Sequence, residues 1–247
     1  GVTRFSRDAA EYESVIMSAA APELRDITIN FPLYQSVREV YIGLDDGAQV
    51  LPPPPFADDR PVVVYGTSIT QGGCANRPGM AYTNILSRKL NRPFVNLGFS
   101  GNGTGEPEVA EALADIADPA AYVLDYEANA HLDGVTKTLA PFLAILRAAH
   151  PAVPILVVSR IRFAQETINP ESARVRAQTR DVQRDTVAAL RAAGDAQLFF
   201  HDGADLLGDD FDECCVDGVH PTDLGFYRIA HGLLPVLREV LGEPAGV

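Results

Sequence analysis

The chain has 247 residues, and its 33 acidic side chains outnumber its 20 basic ones, which gives a formal net charge of −13. A chain this acidic repels polyanions at long range, so we expect neither nucleic acid nor an anionic membrane surface as a partner, and a small ligand is favoured. With 47% apolar and 21% charged residues, and no window of about 18 uninterrupted apolar residues, the composition predicts a globular protein without a membrane span.

Residues 1–55 differ in pattern from the rest of the chain. Within them, Ile27–Phe31 and Glu39–Gly43 have the residue types of two strands in a hairpin or meander. The proline run Leu51–Pro55 predicts a stiff, extended linker. We therefore expect a small N-terminal β segment with its linker in residues 1–55, either packed on the main domain or left from a larger β-sandwich domain. Residues 56–247 form the main domain in this prediction.

From residue 61 onward, short apolar runs alternate with stretches of helical period. Each run is nearly continuous, as expected for a strand that is covered on both faces of a parallel sheet. The candidate strands are Val62–Tyr65, Phe94–Leu97, Tyr122–Asp125, Ile155–Ser159 and Leu198–His201. The candidate helices are Ala81–Leu90, Pro107–Ala117, Thr136–Ala149, Ala173–Ala193 and Leu224–Leu241. The alternation predicts an α/β fold, a three-layer flavodoxin-like sandwich around a five-stranded parallel sheet.

Small and polar residues follow three of the candidate strands and precede the last helix. In an open parallel sheet, ligands bind beyond the carboxyl ends of the strands. The three loops after strands are Gly66–Gly73, Gly98–Gly103 and Glu127–Asn129, and the fourth segment is Asp217–Pro221. We therefore expect these four segments to supply the chemistry.

The fourth segment contains a base with an orienting acid. A serine hydroxyl is a poor nucleophile until an imidazole takes its proton, and the imidazole needs a carboxylate on its other nitrogen to fix its tautomer. The three-residue separation of Asp217 and His220 can return the carboxylate to Nδ1 across one turn. Ser68, three residues past the first strand, is the candidate nucleophile, and Ser100 is its rival.

An oxyanion site is predicted from the other loops. Backbone N–H groups near Ser68 and Gly101, together with the side-chain amide of Asn129, can converge on one oxyanion. His131, two residues beyond Asn129, is a candidate for the wall of a pocket. Neither Ser68 nor Ser100 stands in Gly-x-Ser-x-Gly, which disfavours an α/β-hydrolase elbow, and the Walker-type Gly-Lys-Ser/Thr is absent.

The four segments resemble, in order, the motif blocks of the SGNH, or GDSL-like, serine hydrolase superfamily over most of residues 61–240. Gly66–Thr70 resembles the first block, and Asn96–Gly101 the second, whose final glycine donates an oxyanion N–H. Glu127–Ala130 stands where the third block reads Gly-x-Asn-Asp and keeps only the Asn. Asp217–His220 matches the last block, Asp-x-x-His.

The strings at 72–79 and 217–226 are similar to a bacterial branch with a β-rich N-terminal domain ahead of the hydrolase. The resemblance implies a serine esterase without metal or other cofactor that cleaves small acyl esters, and the β segment favours acetyl esters of carbohydrates. Acyl transfer to a sugar hydroxyl, a catalytically silent carbohydrate-binding module and a nucleotide-binding protein are the alternatives. Because the chain does not begin with Met, the compartment stays open between the bacterial cytoplasm and a secreted or periplasmic location. The sequence does not predict the oligomeric state.

The resemblance also implies roles for single residues. Ser68, His220 and Asp217 form the triad, and Ser68, Gly101 and Asn129 form the oxyanion hole. Glu127, where the family has Gly, is expected to face a substrate hydroxyl or a basic partner such as Arg162. His131 is expected to contact substrate.

The cysteines are Cys74, Cys214 and Cys215, too few for a disulfide scaffold and without Cys-x-x-Cys spacing. Cys74 lies six residues after Ser68, and Cys214 lies six before His220. We therefore expect both at the same end of the sheet, where a Cys74–Cys214 disulfide would join the two loops. Three reduced thiols are the alternative.

Overall fold

A computed structural model describes residues 11–21 and 23–244 of the chain. Its five strands are β1 (Val62–Gly66), β2 (Phe94–Gly98), β3 (Ala121–Asp125), β4 (Ile155–Val158) and β5 (Leu198–His201). They form one parallel sheet in the order β2-β1-β3-β4-β5. The predicted flavodoxin-like α/β fold with five parallel strands is confirmed, because each predicted strand matches an observed one to within one residue at either end.

The helices cover both faces of this sheet. They are α1 (Ser68–Gln71), α2 (Tyr82–Leu90), α3 (Pro107–Ala114), α4 (Glu127–Ala149), α5 (Pro170–Ala192) and α6 (Asp223–Val240). Local sequence explains where the long ones begin. Asn169, the residue before Pro170, accepts hydrogen bonds through its side chain from the first free N–H groups of α5. The Thr222 side chain caps α6 in the same way.

The core lies in two layers, one on each side of the sheet. Val62 and Val64 of β1 point towards α2 and α6, whereas Val63 and Tyr65 point towards α3 and α4. All four side chains are at most 1% exposed, and a fully buried Val or Leu side chain stabilises the fold by about 1.5–3 kcal/mol. Coverage of both faces is why the strands lack the polar alternation of a half-exposed sheet.

The first three strands end at the same level. Gly66, the last residue of β1, pairs with Gly98 of β2 on one side and with Asp125 of β3 on the other. The chain order changes direction between β1 and β3, which is the switch point where such folds bind ligands. The loops after β1, β2 and β3 therefore meet in one crevice.

The part of the N-terminal segment at residues 23–55, which we call the arm, differs from its prediction. Residues 27–31 and 39–43 are not in strands, and no β-ladder forms in the described part of this segment. Many of its large apolar side chains are exposed, including Ile27, Phe31, Tyr41, Ile42 and Val50. A two-stranded ribbon is marginal without a further layer to bury one face, so the predicted strand pair is not formed here.

The domain division between residues 1–55 and 56–247 stays a prediction, and residues 1–10 and 22 lie outside the described residues. Among the helices that are described, none combines the length and the apolar composition needed to cross a bilayer.

Candidate active site

Ser68 is the first residue of α1, a single helical turn directly after β1. Thr67 caps this turn, because its hydroxyl accepts a hydrogen bond from the Ile69 N–H over 3.2 Å. The turn packs closely against the end of β1, since a Cβ at Gly66 would lie only 2.0 Å from the Thr70 hydroxyl oxygen. Glycine at position 66 thus brings Ser68 to the end of the sheet.

The structure brings Ser68, His220 and Asp217 together. The Ser68 Oγ and the His220 Nε2 are 2.8 Å apart, across 152 residues of sequence. The His220 Nδ1 and the Asp217 Oδ2 are 2.7 Å apart. The other carboxylate oxygen of Asp217 accepts the N–H groups of Val219 and His220 over 3.0 and 2.8 Å. One carboxylate therefore both shapes the loop and orients the ring.

The Asp217 carboxyl group is ionised at neutral pH and well below it. The backbone N–H of His220, ahead of the ring and the Val219 N–H, lowers the pKa of Asp217 to about 2, although burial opposes it. An ionised carboxylate at Nδ1 keeps the proton on that nitrogen and leaves the Nε2 lone pair facing Ser68. This is the tautomer that a general base needs.

The loop after β2 packs on the end of β1. The Phe99 N–H donates to the Gly66 carbonyl over 3.0 Å, and the Phe99 carbonyl accepts the side-chain amide of Asn129 over 3.2 Å. Gly101 has φ +74° and is exposed, and no backbone acceptor among the described residues takes its N–H. The loop that carries Gly101 is thus bonded both to the end of β1 and to the first turn of α4, which carries Asn129. Among the described residues, the Gly101 N–H and one Asn129 amide hydrogen have no hydrogen-bond partner.

Ser100, the rival nucleophile, has a different position. It is exposed, and its backbone N–H donates to the Gln71 side chain over 3.1 Å. No imidazole in the described part of the chain bonds its hydroxyl. The structure therefore pairs a histidine with Ser68 and not with Ser100.

Of the two expectations for Glu127, a substrate hydroxyl or a basic partner, the structure shows a basic partner. It is 3% exposed, and it accepts hydrogen bonds from the Arg160 N–H over 2.9 Å and the Gln183 amide over 2.6 Å. Arg160, and not Arg162, is its basic partner, with 3.6 Å between Nε and Oε1. Arg162 instead donates to the carbonyls of Ala204 and Gly208. Burial raises the pKa of Glu127, and the Arg160 N–H opposes that rise.

His131 lies at a break in α4. Its φ of +53° and ψ of −172° are outside the helical region, so the turn that carries Asn129 is separated from the long part of the helix. A non-glycine residue in this region is strained, and such residues are concentrated at functional sites. The side chain is exposed, and its contact with substrate stays a prediction.

A carboxyl group that sequence reasoning missed lies next to α1, the helical turn that begins with Ser68. Asp125, the last residue of β3, accepts hydrogen bonds from the hydroxyls of Thr70 and Tyr82 over 3.1 and 2.9 Å. Burial raises its pKa to about 7. The only signal in the sequence is a charged residue at the end of an apolar strand. This carboxyl ties α1 and α2 to the sheet.

Of the two alternatives for the cysteines, the structure has the three free thiols and not the Cys74–Cys214 disulfide. Cys214 is 0% exposed, and its sulfur lies 3.7 Å from the Leu207 carbonyl oxygen. Cys74 is exposed, with Sγ, an Asp217 oxygen and a His220 nitrogen all within 4.8 Å of one another. These three side chains have the chemistry of metal ligands, but Asp217 and His220 are already partners in a hydrogen bond. The Cys74 and Cys214 side chains point into different surroundings, so they do not meet.

Comparison with solved structures supports the fold. A GDSL-like lipase structure from Bacteroides ovatus is 38% identical, with a TM-score of 0.72 over 78% of this chain and 56% of that one. A salicylyl-acyltransferase from a tetracycline biosynthetic pathway is 22% identical, with a TM-score of 0.66 over 77% of this chain and 57% of that one. A carbohydrate acetylesterase family member from Sinorhizobium meliloti is 19% identical, with a TM-score of 0.57 over 74% of this chain and 99% of that one.

The chain thus spans little more than half the length of the first two proteins. The second and third are similar at a level that shows the fold alone. No curated protein matches the sequence. The model of the GDSL-like Lipase/Acylhydrolase family matches residues 59–238, which is more than half of the chain and includes Ser68, Asp217 and His220. The chain therefore belongs to the GDSL-like lipase/acylhydrolase family.

Proposed function

We propose that the protein is a serine esterase in which Ser68 is the nucleophile, His220 the base and Asp217 the residue that orients His220. The observation that carries this proposal is the continuous hydrogen-bonded chain, 2.8 Å from Ser68 Oγ to His220 Nε2 and 2.7 Å from Nδ1 to Asp217. Membership of a lipase/acylhydrolase family supports ester chemistry.

In the acylation step, the Ser68 oxygen bonds to the ester carbonyl carbon while its proton moves to His220 Nε2. The carbonyl electron pair moves onto oxygen and forms a tetrahedral oxyanion. Collapse of this intermediate breaks the bond to the alcohol oxygen, which takes the proton from Nε2 as it leaves. Water then attacks the acyl-enzyme in the same way, with His220 taking its proton and returning it to Ser68.

The oxyanion would be bound by three donors. The Ser68 N–H is the first of α1 and has no partner inside the helix. The Gly101 N–H and the second amide hydrogen of Asn129 are the other two. Each such donor lowers the barrier by roughly 3–4 kcal/mol when it is aimed at the developing charge.

We propose small acyl esters as the substrates, with acetyl esters of carbohydrates as the favoured class. The net charge of −13 disfavours anionic esters. The site is open, since the side chains of His220 and Asp217 are 28% and 51% exposed, which suits a bulky, hydrated alcohol. It also gives water access to the acyl-enzyme, and this favours hydrolysis over transfer to another hydroxyl.

The test is labelling and turnover of the purified protein. A fluorophosphonate should label the native protein and the Ser100→Ala control at one site, and should not label Ser68→Ala. Ser68→Ala should reduce hydrolysis of p-nitrophenyl acetate and 6-O-acetylglucose by roughly 10⁴-fold or more. Full activity of Ser68→Ala, or absence of labelling in the native protein, would refute the proposal. To separate hydrolysis from acyl transfer, the acetate that is released is compared with the acetyl groups that are transferred to added glucose.

A further inference from the structure

The arm is bonded to the candidate active site through one amide side chain. Gln71, the last residue of α1, donates from Nε2 to the Leu33 carbonyl over 3.1 Å. Its Oε1 accepts the Ser100 N–H over 3.1 Å. The arm, the helix that begins with Ser68 and the loop that carries Gly101 therefore hold one another in place.

The next residue of the arm brings a hydroxyl group to the base. A Cβ at Gly73 would lie 2.8 Å from the Tyr34 hydroxyl oxygen, 3.1 Å from the Ser68 carbonyl oxygen and 3.3 Å from His220 Cδ2. The three atoms thus surround one point, and each is within 3.3 Å of it. The Tyr34 hydroxyl oxygen consequently lies within about 6 Å of His220 Cδ2, the ring carbon bonded to Nε2.

The Tyr34 side chain is accessible to a ligand. Tyr34 is 49% exposed, and no residue in the described ranges is hydrogen-bonded to its hydroxyl. Tyr41, in the same arm, differs in this respect, because its hydroxyl donates to Glu39 over 2.8 Å. A free phenol can donate one hydrogen bond and accept others.

The position beside His220 identifies the part of the ester that Tyr34 would meet. The base must hand its proton to the leaving oxygen, so the alcohol part of the ester lies against the imidazole. The carbonyl oxygen lies instead towards the N–H groups of Ser68 and Gly101. A group that borders His220 therefore faces the alcohol.

We propose that Tyr34 is a specificity-determining residue, whose hydroxyl binds a free hydroxyl of the substrate's alcohol part, and that the arm forms one wall of the alcohol subsite. This inference rests on the proposed esterase function. The family match begins at residue 59, so the selecting residue belongs to a segment outside the part that defines the family. The ligand class is a polyol or sugar ester with hydroxyl groups next to the ester.

The experiment compares Tyr34→Phe with the matched control Tyr41→Phe. Tyr34→Phe should lower kcat/KM for 6-O-acetylglucose by about 3- to 10-fold, because one hydrogen bond is lost. It should leave kcat/KM for p-nitrophenyl acetate and p-nitrophenyl butyrate within about twofold, since neither alcohol carries a further hydroxyl. Inhibition of p-nitrophenyl acetate hydrolysis by glucose should weaken by the same factor as the sugar ester. Tyr41→Phe should change none of these values.

An equal change on the sugar ester and the nitrophenyl esters, or no change on any, overturns the proposal. It is also overturned if the native enzyme cleaves p-nitrophenyl acetate but neither cleaves 6-O-acetylglucose nor is inhibited by glucose. Failure of the esterase function itself is seen separately, as full activity of Ser68→Ala.

Discussion

At the scale of single residues, the side-chain amide of Asn129 has two hydrogens with different partners. One is donated to the Phe99 carbonyl over 3.2 Å, which fixes the amide plane. The other hydrogen has no partner among the described residues, and we propose that it binds the oxyanion. An amide held in this way needs no reorganisation when charge develops on the ester oxygen, and this is the property that makes an oxyanion donor effective.

We expect Asn129→Ala to lower kcat by about 10²- to 10³-fold with little change in KM, because the hydrogen bond strengthens only as the oxyanion forms. Steady-state kinetics on p-nitrophenyl acetate give both constants. Asn102→Ala is the matched control, since Asn102 also bonds a loop carbonyl, that of Ser100 over 3.0 Å. A rise in KM at unchanged kcat would place Asn129 in ground-state binding instead.

At the scale of secondary-structure elements, Asp125 connects β3 with α1 and α2 through Thr70 and Tyr82. Burial holds its pKa at about 7, above the ordinary value of 3.8. The folded protein therefore keeps a proton that the unfolded chain releases above about pH 4. As a result, this group makes the free energy of unfolding fall as pH rises from about 4 to about 7, after which its contribution is level.

We expect Asp125→Asn to remove that fall. Relative to the native protein, the variant should gain roughly 2–4 kcal/mol of unfolding free energy between pH 4 and pH 8. Urea unfolding at the two pH values measures the gain. Asp133→Asn, an exposed position in α4, is the control and should show no such gain. A parallel shift of Asp125→Asn at both pH values would mean that Asp125 stays ionised in the fold.

The turn between β3 and α4 is held by a buried ion pair. Glu127 begins α4 and binds the Arg160 N–H and Gln183 of α5. Removal of one partner leaves the other charge buried with fewer acceptors, although Arg160 keeps an ion pair with Glu166 over 2.7 Å.

Glu127→Ala should therefore lower the free energy of unfolding by about 3 kcal/mol, while KM for 6-O-acetylglucose stays close to that of the native protein. Thermal unfolding and steady-state kinetics test both parts. Glu108→Ala, at an exposed position of α3, is expected to change neither. A large rise in KM with unchanged stability would return Glu127 to the substrate site.

Local sequence patterns predict where the strands of this protein lie better than they predict which distant residues contact each other. The apolar runs of the five strands carry their own signal, because a strand covered on both faces has no polar alternation. The spacing of Asp217 and His220 likewise predicts their contact, because one turn of the chain brings the carboxylate back to the ring. The partner of Glu127 depends on how β4 and α5 pack, and the alternation in residues 27–31 is the same whether or not a partner strand exists.

At the scale of the whole molecule, no covalent bridge joins the loops of the site. We expect the melting temperature to be the same with and without reductant, because all three cysteines are free. Alkylation of the denatured, unreduced protein should modify three thiols, as measured by intact mass. In the native protein, exposed Cys74 should react well before the fully buried Cys214. Only one modified thiol after denaturation would mean that a disulfide has formed.

The contact between Ser68 and His220 closes a loop of 152 residues, and His220 is followed by the helix that completes one face of the core. Contacts this distant in sequence form late, because the entropy of closing the chain must be overcome before the contact stabilises anything. We therefore expect Ser68, the proposed nucleophile, to become reactive only once the carboxyl-terminal third of the chain has docked. During synthesis or refolding, labelling by a fluorophosphonate would therefore report when the tertiary structure is complete. Chains that already have all their helices but have not finished packing would not be labelled.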